Sequence, residues 1–455
     1  MWNKPVNPVK LLTIAFLAAI LVGAALLMLP QASVSGHPIS LVDALFMATS
    51  AVCVTGLSVL DVGVEFTLFG QIVILLLIQG GGLGIMTFAL SAAILLGHRA
   101  SFQEASYYKE QVSFLSANNL RRMFKHIFVL TFVCEAVGAL ILWWRFQTYQ
   151  PQQFSIWYSA IFHSVSAFCN AGFGLYSDSL QSFKNDPFVC WTVIFLIIAG
   201  GIGFLVWEDA YGKLKALKKG KKYTFSLHTK LVVITTIVLI LIGALSVGFL
   251  EMGKSLKGLG VVDGITASFF RSVTARTAGF SVLETTSLSN PTLLMMMFLM
   301  FVGGSPASCA GGVKTITFII VVLTIFARMR GNENVSLFRR QVPFDIITKA
   351  ISIVIVSGVW ILGTTFLLQL SEAGRLPVEF SRGALMNILF EVISAYGTVG
   401  LSLGQTPFLS VVGKLVIIVT MFVGRVGPLT LAIALLQKPK RAPLYTYAEE
   451  NVMVG

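Results

Sequence analysis

Four glycines recur along the chain at intervals of 116, 107 and 121 residues, and each ends a similar tetrapeptide. The tetrapeptides are CVTG (53–56), CNAG (169–172), RTAG (276–279) and GTVG (397–400). Glycine adopts positive φ angles at little cost, which allows a backbone to turn its carbonyl groups toward a common axis. Carbonyl oxygens arranged in this way can replace the water shell of a cation. The repeated glycines therefore predict a four-stranded ion selectivity filter.

The predicted filter comprises the last three residues of each tetrapeptide. They are Val54, Thr55, Gly56, Asn170, Ala171, Gly172, Thr277, Ala278, Gly279, Thr398, Val399 and Gly400. We expect the cation to be coordinated by the backbone carbonyls of Thr55, Gly56, Ala171, Gly172, Ala278, Gly279, Val399 and Gly400. The surroundings repeat too, with Phe46, Phe162, Phe269 and Phe390 ten residues before the glycines, and Ser50, Ser166, Val273 and Ser394 six before.

The elements that must position this filter are apolar. Of 455 residues, 56% are AVILMFWYC and only 12% are charged, which is typical of a membrane protein. Eight apolar stretches are long enough to cross about 30 Å of hydrocarbon. Four open the repeats (11–29, 126–144, 231–250, 350–370) and four close them (about 66–96, 187–210, 291–327, 408–437). A shorter apolar segment between each opener and closer cannot span, so it must enter the membrane and turn back.

We therefore predict an all-α integral membrane protein with eight transmembrane helices. They form four repeats of helix, re-entrant pore loop and helix around a pseudo-four-fold pore. The repeats are 11–96, 126–212, 231–330 and 349–437, followed by a tail at 438–455. A duplicated bundle whose glycines only allow close helix packing is the alternative. It would explain the glycine clusters in the closers but not the short segments.

The distribution of basic residues predicts the orientation. Of 33 Lys and Arg residues, 22 lie at the termini and in the connections between repeats, which places both termini in the cytoplasm. The basic run at 212–223 follows from the same rule, although it could also bind anionic lipids. Because the basic residues lie between apolar spans, the net charge of +13 does not indicate nucleic-acid binding.

The third closer carries an insertion that the other closers lack. As one helix, residues 291–327 would exceed about 50 Å, and the Pro among small residues in its middle predicts a break. The predicted gating loop comprises Gly303, Gly304, Ser305, Pro306, Ala307, Ser308, Cys309, Ala310, Gly311 and Gly312. The break is either a simple kink or, as we favour, a movable gate beneath the filter.

Arg425 lies in the middle of the fourth closer, where insertion scales give an Arg a cost of about 2.5–3.5 kcal/mol. It follows Gly400 by 25 residues, as Gly304 follows Gly279, which places it level with the gating loop. It either pairs with a carboxylate or donates to carbonyls of the broken helix as part of the gate. Lys314 is a weaker gate candidate that could instead extend toward the headgroups.

Four other charged residues lie near the predicted pore. Asp61 and Glu284 each follow a filter glycine by five residues, so they either concentrate cations at the outer mouth or are ordinary loop charges. Arg276 immediately precedes the third filter strand. Glu135, inside an opener, either takes part in Na+ coupling or, as we favour, hydrogen-bonds a neighbouring helix.

Two other classes of function fit the residues less well. A secondary transporter of organic solutes is expected to have inverted repeats, whereas every repeat here begins and ends on the same side. An integral-membrane enzyme would need clustered His, Asp or Cys. The five histidines and five cysteines are scattered, with no metal-ligand or disulfide spacing. We therefore expect neither an enzyme active site nor a cofactor.

The sequence resembles the superfamily of Trk, Ktr and HKT potassium transporters over nearly its whole length. The similar passages are ATSAVCVTGLSVLD (48–61), HSVSAFCNAGFGLYSD (163–178), RSVTARTAGFSVLE (271–284), EVISAYGTVGLSLG (391–404) and VGRVGPLTLA (423–432). Eight spans without an additional N-terminal pair are most similar to the membrane subunits of bacterial Ktr systems. The resemblance places the selectivity filter at the four repeated glycines and the gate at the loop and Arg425. Pro306 and Cys309 depart from the Gly-, Ser- and Thr-rich loops of the family.

The resemblance also implies a substrate, partners and a location. The cation would be K+, taken up across the inner membrane of a bacterium, often in a Na+-dependent manner. The chain would form a homodimer in contact with membrane lipids. It would sit on a cytosolic nucleotide-binding regulatory ring of the KtrA type, so that any nucleotide is bound by that partner.

Overall fold

The structure, a computed structural model, describes residues 8–84, 117–149, 154–332, 334–338, 340–373 and 378–427. Within these ranges most residues lie in helices. The helices are α1 (Pro8–Leu27), α2 (Leu41–Val52), α3 (Val62–Glu65), α4 (Leu68–Gly82), α5 (Ala117–Tyr149), α6 (Ile156–Cys169), α7 (Pro187–Gly201), α8 (Phe204–Lys218), α9 (Leu227–Glu251), α10 (Val261–Thr274), α11 (Asn290–Phe301), α12 (Thr315–Met329), α13 (Phe344–Leu368), α14 (Val378–Gly397) and α15 (Val411–Val426).

Shorter elements join the helices. They are 3-10 turns at Pro30–Ala32, Gln181–Phe183 and Thr406–Phe408, a π-helical turn at Gln369–Ala373, and strands β1 (Ser336–Leu337) and β2 (Arg340–Gln341). The two strands form an antiparallel hairpin in the connection between the third and fourth repeats. This hairpin departs from the all-α prediction, but it lies outside the predicted spans and leaves the helical core unchanged.

Polar N-caps fix where several helices begin. The hydroxyls of Ser40, Thr67, Ser226 and Ser410 each accept a hydrogen bond from a backbone N–H in the first turn that follows. At α7 the cap is the carboxylate of Asp186, and a proline occupies the first helical position. Side-chain oxygens at this position satisfy N–H groups that have no partner within the helix.

The helices pack as a closed ring of four repeats. Each opener (α1, α5, α9, α13) packs against the short helix of its own repeat (α2, α6, α10, α14). Each closer (α4, α7, α11, α15) packs against the short helix of the next repeat, and α15 returns to α2 of the first repeat. The ion pair between Lys414 on α15 and Asp43 on α2, at 2.6 Å, links the last repeat to the first.

Polar contacts join the opener to the closer in every repeat. The pairs are Thr67 Oγ1 with Gln31 O (2.6 Å), Arg145 with Asp186 (2.6 Å), Ser289 Oγ with Glu251 (2.7 Å) and Ser410 Oγ with Glu372 (2.6 Å). These contacts lie at the end of each opener where the chain turns toward the short helix. They therefore hold the opener and the closer of each predicted repeat together at this end.

Three described helices are long and apolar enough to cross a membrane, namely Lys125–Tyr149, Leu227–Glu251 and Phe344–Glu372. A fourth is added if α7 and α8 count as one broken span. The helices α2, α6 and α10 have 12 to 14 residues, or about 18–21 Å at the usual helical rise. Within the described ranges, length and composition alone thus identify fewer than the eight spans predicted.

Two closers are interrupted within the described residues. In the third, α11 ends at Phe301 and α12 begins at Thr315. The second, which lacks the insertion, bends by 94° between α7 and α8, so the apolar stretch predicted at 187–210 is not one straight helix. The bend occurs at Gly203, whose φ of +94° is incompatible with a continuing helix. Parts of the first closer (85–96) and fourth closer (428–437), and the tail at 438–455, lie outside the described residues.

Candidate functional site

The four predicted filter strands have the same unusual backbone conformation. Their glycines have φ angles of +90° (Gly56), +69° (Gly172), +78° (Gly279) and +92° (Gly400). The residue two positions earlier also has positive φ in every strand, at Val54 (57°), Asn170 (60°), Thr277 (80°) and Thr398 (50°). Such angles are strained for β-branched side chains and are concentrated at functional sites. Four copies of the same strained geometry indicate a common function.

Each strand directs backbone N–H groups back toward its short helix. The N–H of the residue before the glycine donates to a helix carbonyl, in the pairs Thr55–Ser50 (2.8 Å), Ala171–Ser166 (2.8 Å), Ala278–Thr274 (2.9 Å) and Val399–Ser394 (2.9 Å). In the first and fourth strands the glycine N–H also donates to a serine hydroxyl, at 3.1 Å in both. The N–H groups are thus satisfied behind the strand.

The strands meet in a closed ring. A side-chain carbon placed on each glycine would come within 3.0 Å of a carbonyl oxygen in the next strand. The contacts are Gly56 with Ala171 O, Gly172 with Ala278 O, Gly279 with Val399 O, and Gly400 with Thr55 O. The last contact returns to the first repeat. Four strands of backbone therefore surround one axis at a distance that no larger residue allows.

The short helices end at this ring. Helices α2, α6, α10 and α14 finish at Val52, Cys169, Thr274 and Gly397, within a few residues of the filter glycines. The carboxyl end of a helix carries partial negative charge, which favours a cation. A site for an anionic organic substrate would instead receive helix N-termini. The ring is thus suited electrostatically to a cation.

In the third repeat the short helix is shifted by one residue relative to the alignment made from the sequence. Its carbonyl acceptor is Thr274, five residues before Gly279, rather than Val273 at six residues before. Likewise Phe270 is fully buried, as the other three repeated phenylalanines are, while Phe269 is only partly buried. The turn between α10 and its filter strand is therefore one residue shorter. The hydroxyl of Thr274 was the available signal, and it donates to Phe280 O at 2.7 Å.

The glycines of the closers serve close packing. An added side-chain carbon on Gly81, Gly200 or Gly424 would overlap the carbonyl oxygen four residues before a filter glycine, on Val52, Phe168 and Tyr396 respectively. Close helix packing, the alternative explanation of the repeated glycines, thus accounts for these clusters. It does not account for the filter glycines, which lie outside helices and have positive φ.

The predicted gating loop, Gly303–Gly312, lies against the break in the second closer. Ser305 N donates to Gly201 O at 3.0 Å, Cys309 N to Gly200 O at 3.2 Å, and Phe204 N to Ala307 O at 2.8 Å. The loop and the bend between α7 and α8 therefore satisfy each other's backbone groups, which explains why both closers are interrupted at the same level.

The other side of the loop reaches the filter. A side-chain carbon on Gly311 would overlap the side chain of Thr398, a predicted filter residue of the fourth repeat. The hydroxyl oxygens of Thr398 and Thr55 are buried and have no hydrogen-bond partner among the described residues. The loop is thus positioned directly beside the filter ring.

Three basic side chains donate to backbone carbonyls of the loop. Arg425 donates to Cys309 O and, at 2.5 Å, to Gly81 O on α4. Lys314 Nζ donates to Ala310 O at 2.5 Å, and Arg276 Nη2 to Gly303 O at 3.3 Å. In the described part of the chain, none of the three forms a salt bridge. Arg425 thus contacts one carbonyl of the gating loop and one of α4 rather than a carboxylate.

The remaining predicted charged residues have local hydrogen-bond partners. Asp61 caps the four-residue helix α3 by accepting from Gly63 N at 2.8 Å. The exposed Glu284 accepts from Thr286 Oγ1 at 2.5 Å. Glu135 is buried and lies 3.2 Å from Gln79 Nε2 on the neighbouring closer. Among the described residues, no three His, Cys, Asp or Glu side chains come together as metal ligands.

Comparison with known proteins places the chain in a family. The family model "TrkH: Cation transport protein" matches residues 11–442. "Ktr system potassium uptake protein B" of Bacillus subtilis is 40% identical over 93% of this chain and 92% of its own length. The protein of that name from Vibrio alginolyticus is 39% identical, covering 98% and 94%. "Potassium/sodium uptake protein NtpJ" of Enterococcus hirae is 37% identical, covering 100% and 98%.

A solved structure shows the same fold. The crystal structure of the potassium transporter TrkH from Vibrio parahaemolyticus superposes with a TM-score of 0.73, covering 96% of this chain and 86% of that one at 17% identity. The family and these relatives are transport proteins, not enzymes. The chain therefore belongs to the TrkH family of cation transport proteins.

Proposed function

We propose that this protein takes up K+ through the ring formed by the four glycine strands. The observation that carries the proposal is the closed succession of contacts from Gly56 through Gly172 and Gly279 to Gly400 and back. With the N–H groups of the strands bound to the short helices, the carbonyl oxygens are the groups free to replace water around an ion. The membrane potential, negative inside, would drive the uptake.

The choice of K+ rests on the relatives. Those from Bacillus subtilis and Vibrio alginolyticus carry the name of potassium uptake proteins, and NtpJ that of a potassium/sodium uptake protein. One glycine per strand does not by itself distinguish K+ from Na+. A contribution of Na+ to uptake is therefore part of the proposal, and its test must include both ions.

The proposed architecture is eight membrane-spanning segments in four parallel repeats, 11–96, 126–212, 231–330 and 349–437. Both termini would face the cytoplasm of a bacterium, because the basic residues concentrate on that side. The Ktr relatives are named as members of a system, which supports a partner. We propose a homodimer on a cytosolic nucleotide-binding ring of the KtrA type, with any nucleotide bound by the ring.

The proposed gate is the loop Gly303–Gly312 together with Arg425. The loop lies beside Thr398 of the filter ring and is held by Arg425 through Cys309 O. A guanidinium at this level also repels cations that leave the filter. Opening would require the loop to release its contacts with Arg425 and with the bend of the second closer.

The test is K+ or radiolabelled Rb+ uptake in cells that lack other K+ systems, measured with and without Na+. We expect Gly279→Asp to reduce uptake or change ion preference, because any side chain there overlaps Val399 O. The matched control is Gly36→Asp, since Gly36 also has positive φ (+70°) but is exposed and has open space around it. Unchanged uptake and preference in folded Gly279→Asp would reject the filter assignment.

A further inference from the structure

Each short helix carries one side chain that contacts the segment directly after its filter glycine. These side chains are Met47, His163, Arg271 and Glu391. Three of them precede their glycine by nine residues, and Arg271 precedes Gly279 by eight, consistent with the shorter turn of the third repeat. The position is thus common to all four repeats, while the chemistry differs in each. We call these four residues the collar.

The contacts are most extensive in the fourth repeat. Glu391 is 2% exposed, and its Oε1 accepts from Ser402 Oγ (2.5 Å), Leu403 N (3.1 Å) and Gln405 N (3.4 Å). Its other oxygen accepts from Thr406 Oγ1 at 2.9 Å. One buried carboxylate therefore holds the chain from two to six residues beyond Gly400. A carboxylate that accepts several hydrogen bonds in a buried setting fixes its donors strongly.

The third repeat uses the opposite charge for the same purpose. Arg271 is fully buried, donating to Thr285 Oγ1 at 3.1 Å and to the carbonyl of Leu283. Those acceptors lie four and six residues beyond Gly279. Ser281 also donates to Leu283 O. The guanidinium of Arg271 thus donates to acceptors of this segment. In the fourth repeat the carboxylate of Glu391 instead accepts from donors of the equivalent segment.

The first two repeats have neutral collar residues. His163 Nδ1 donates to Ser159 O at 2.8 Å, which leaves Nε2 to accept from Leu175 N at 3.4 Å. Gly174 stands where the other repeats have a serine, and a side-chain carbon there would lie only 3.3 Å from Nε2. In the first repeat Ser58 Oγ makes a 3.5 Å contact with Met47 Sδ. These two segments are held by fewer and weaker contacts than the other two.

We propose that the collar residues are positioning residues for ion selectivity, and that Glu391 and Arg271 are the dominant pair. This inference rests on the proposed filter function. Each filter strand is bound to its short helix before the glycine, through the N–H contacts of the strand, and after it, through the collar. A strand held at both ends cannot contract its carbonyl groups around a smaller, more strongly hydrated cation such as Na+. Loosening the collar should therefore change ion preference more than the rate of uptake.

The test compares the ratio of K+ to Na+ uptake by the full-length protein in liposomes. Glu391→Ala removes every acceptor and should lower the ratio at least about tenfold, the factor that corresponds to about 1.4 kcal/mol. Glu391→Gln keeps one acceptor oxygen for the two N–H groups and should stay within about threefold of the wild type. Glu372→Ala is the matched control, because Glu372 also accepts from a serine, Ser410, but at the junction of opener and closer.

A milder variant guards against failure of Glu391→Ala to fold. Ser402→Ala removes one donor to Glu391 together with the acceptor of Gly404 N, leaves the carboxylate paired, and should lower the ratio by about threefold. Arg271→Met should act like Glu391→Ala, with Arg271→Lys intermediate because it donates from a single point. The proposal is overturned if the ratio is unchanged in the folded collar variants, or if Glu372→Ala lowers it equally.

Gly400→Ala separates failure of this inference from failure of the proposed function. An added side-chain carbon at this position overlaps Thr55 O in the ring itself. If Gly400→Ala changes the ratio and the collar variants do not, the filter assignment stands and the positioning role is rejected. If Gly400→Ala also leaves the ratio unchanged, the filter assignment is rejected, and the collar proposal with it.

Discussion

Removal of the Arg425 side chain should favour the open state of the proposed gate and raise ion flux. Its guanidinium donates to Cys309 O in the gating loop and to Gly81 O on α4. Hydrogen bonds from a charged group contribute about 1.5–3 kcal/mol each, so Arg425→Ala forfeits up to about 3–6 kcal/mol of closed-state stabilisation. Water that enters the site after the substitution replaces part of this stabilisation. A remaining loss of about 1.4 kcal/mol already raises a small open fraction tenfold.

The assay is radiolabelled Rb+ flux into liposomes that contain the purified protein without a partner. We expect at least about a tenfold increase for Arg425→Ala. Arg425→Lys should give a smaller increase, because an ammonium group does not reproduce the planar fork that reaches two carbonyls. Arg328→Ala is the control, since Arg328 is exposed near the end of α12, the helix that follows the loop.

The outcome that would refute the reasoning is a folded Arg425→Ala protein with wild-type or lower flux. In that case the two hydrogen bonds would not limit opening, and the loop would be held by its contacts with the second closer. An increase accompanied by lost ion preference would also count against the argument, because the contacts of Arg425 lie in the loop and on α4, outside the filter strands.

Two further substitutions test how the ring of repeats is held together. Gly424→Ala places a side-chain carbon against a carbonyl of α14 and should destabilise the protein by about 1–3 kcal/mol, seen as a lower thermal midpoint in detergent. Gly358→Ala, in open space on α13, should not lower the midpoint. Lys414→Asp breaks the 2.6 Å ion pair with Asp43 and should lower both stability and uptake. The double variant Lys414→Asp with Asp43→Lys exchanges the two charges and should restore part of the lost stability and uptake. If neither recovers, the ion pair does not account for the effect of Lys414→Asp.

The repeated glycines carried most of the information about the site. Their spacing alone predicted four equivalent strands, and the structure brings Gly56, Gly172, Gly279 and Gly400 into one ring. The spacing is informative because a positive φ in an apolar segment leaves few residue types possible. The equal spacing of 25 residues from Gly400 to Arg425 and from Gly279 to Gly304 predicted that Arg425 lies level with the gating loop.

Features that depend on tertiary hydrogen bonds were not predictable in this way. The bend between α7 and α8 is stabilised by the gating loop of another repeat, through Phe204 N and Ala307 O, so no local pattern reveals it. The one-residue shift in the third repeat is established by which carbonyl accepts, since the hydroxyl of Thr274 beside Val273 was the only signal in the sequence. The collar was missed for a similar reason, since Met47, His163, Arg271 and Glu391 share a position but no chemistry.

The closed order of the repeats has a consequence for biosynthesis. The contact of Gly400 with Thr55 O, the packing of α15 on α2 and the donation from Arg425 to the loop all require the fourth repeat. During translation the first three repeats therefore enter the membrane with the ring incomplete and the loop without its guanidinium. With the proposed filter and gate, selectivity and closure would be acquired in the same final step of insertion. A nascent or prematurely terminated chain accordingly lacks the ring of carbonyls through which ions would pass.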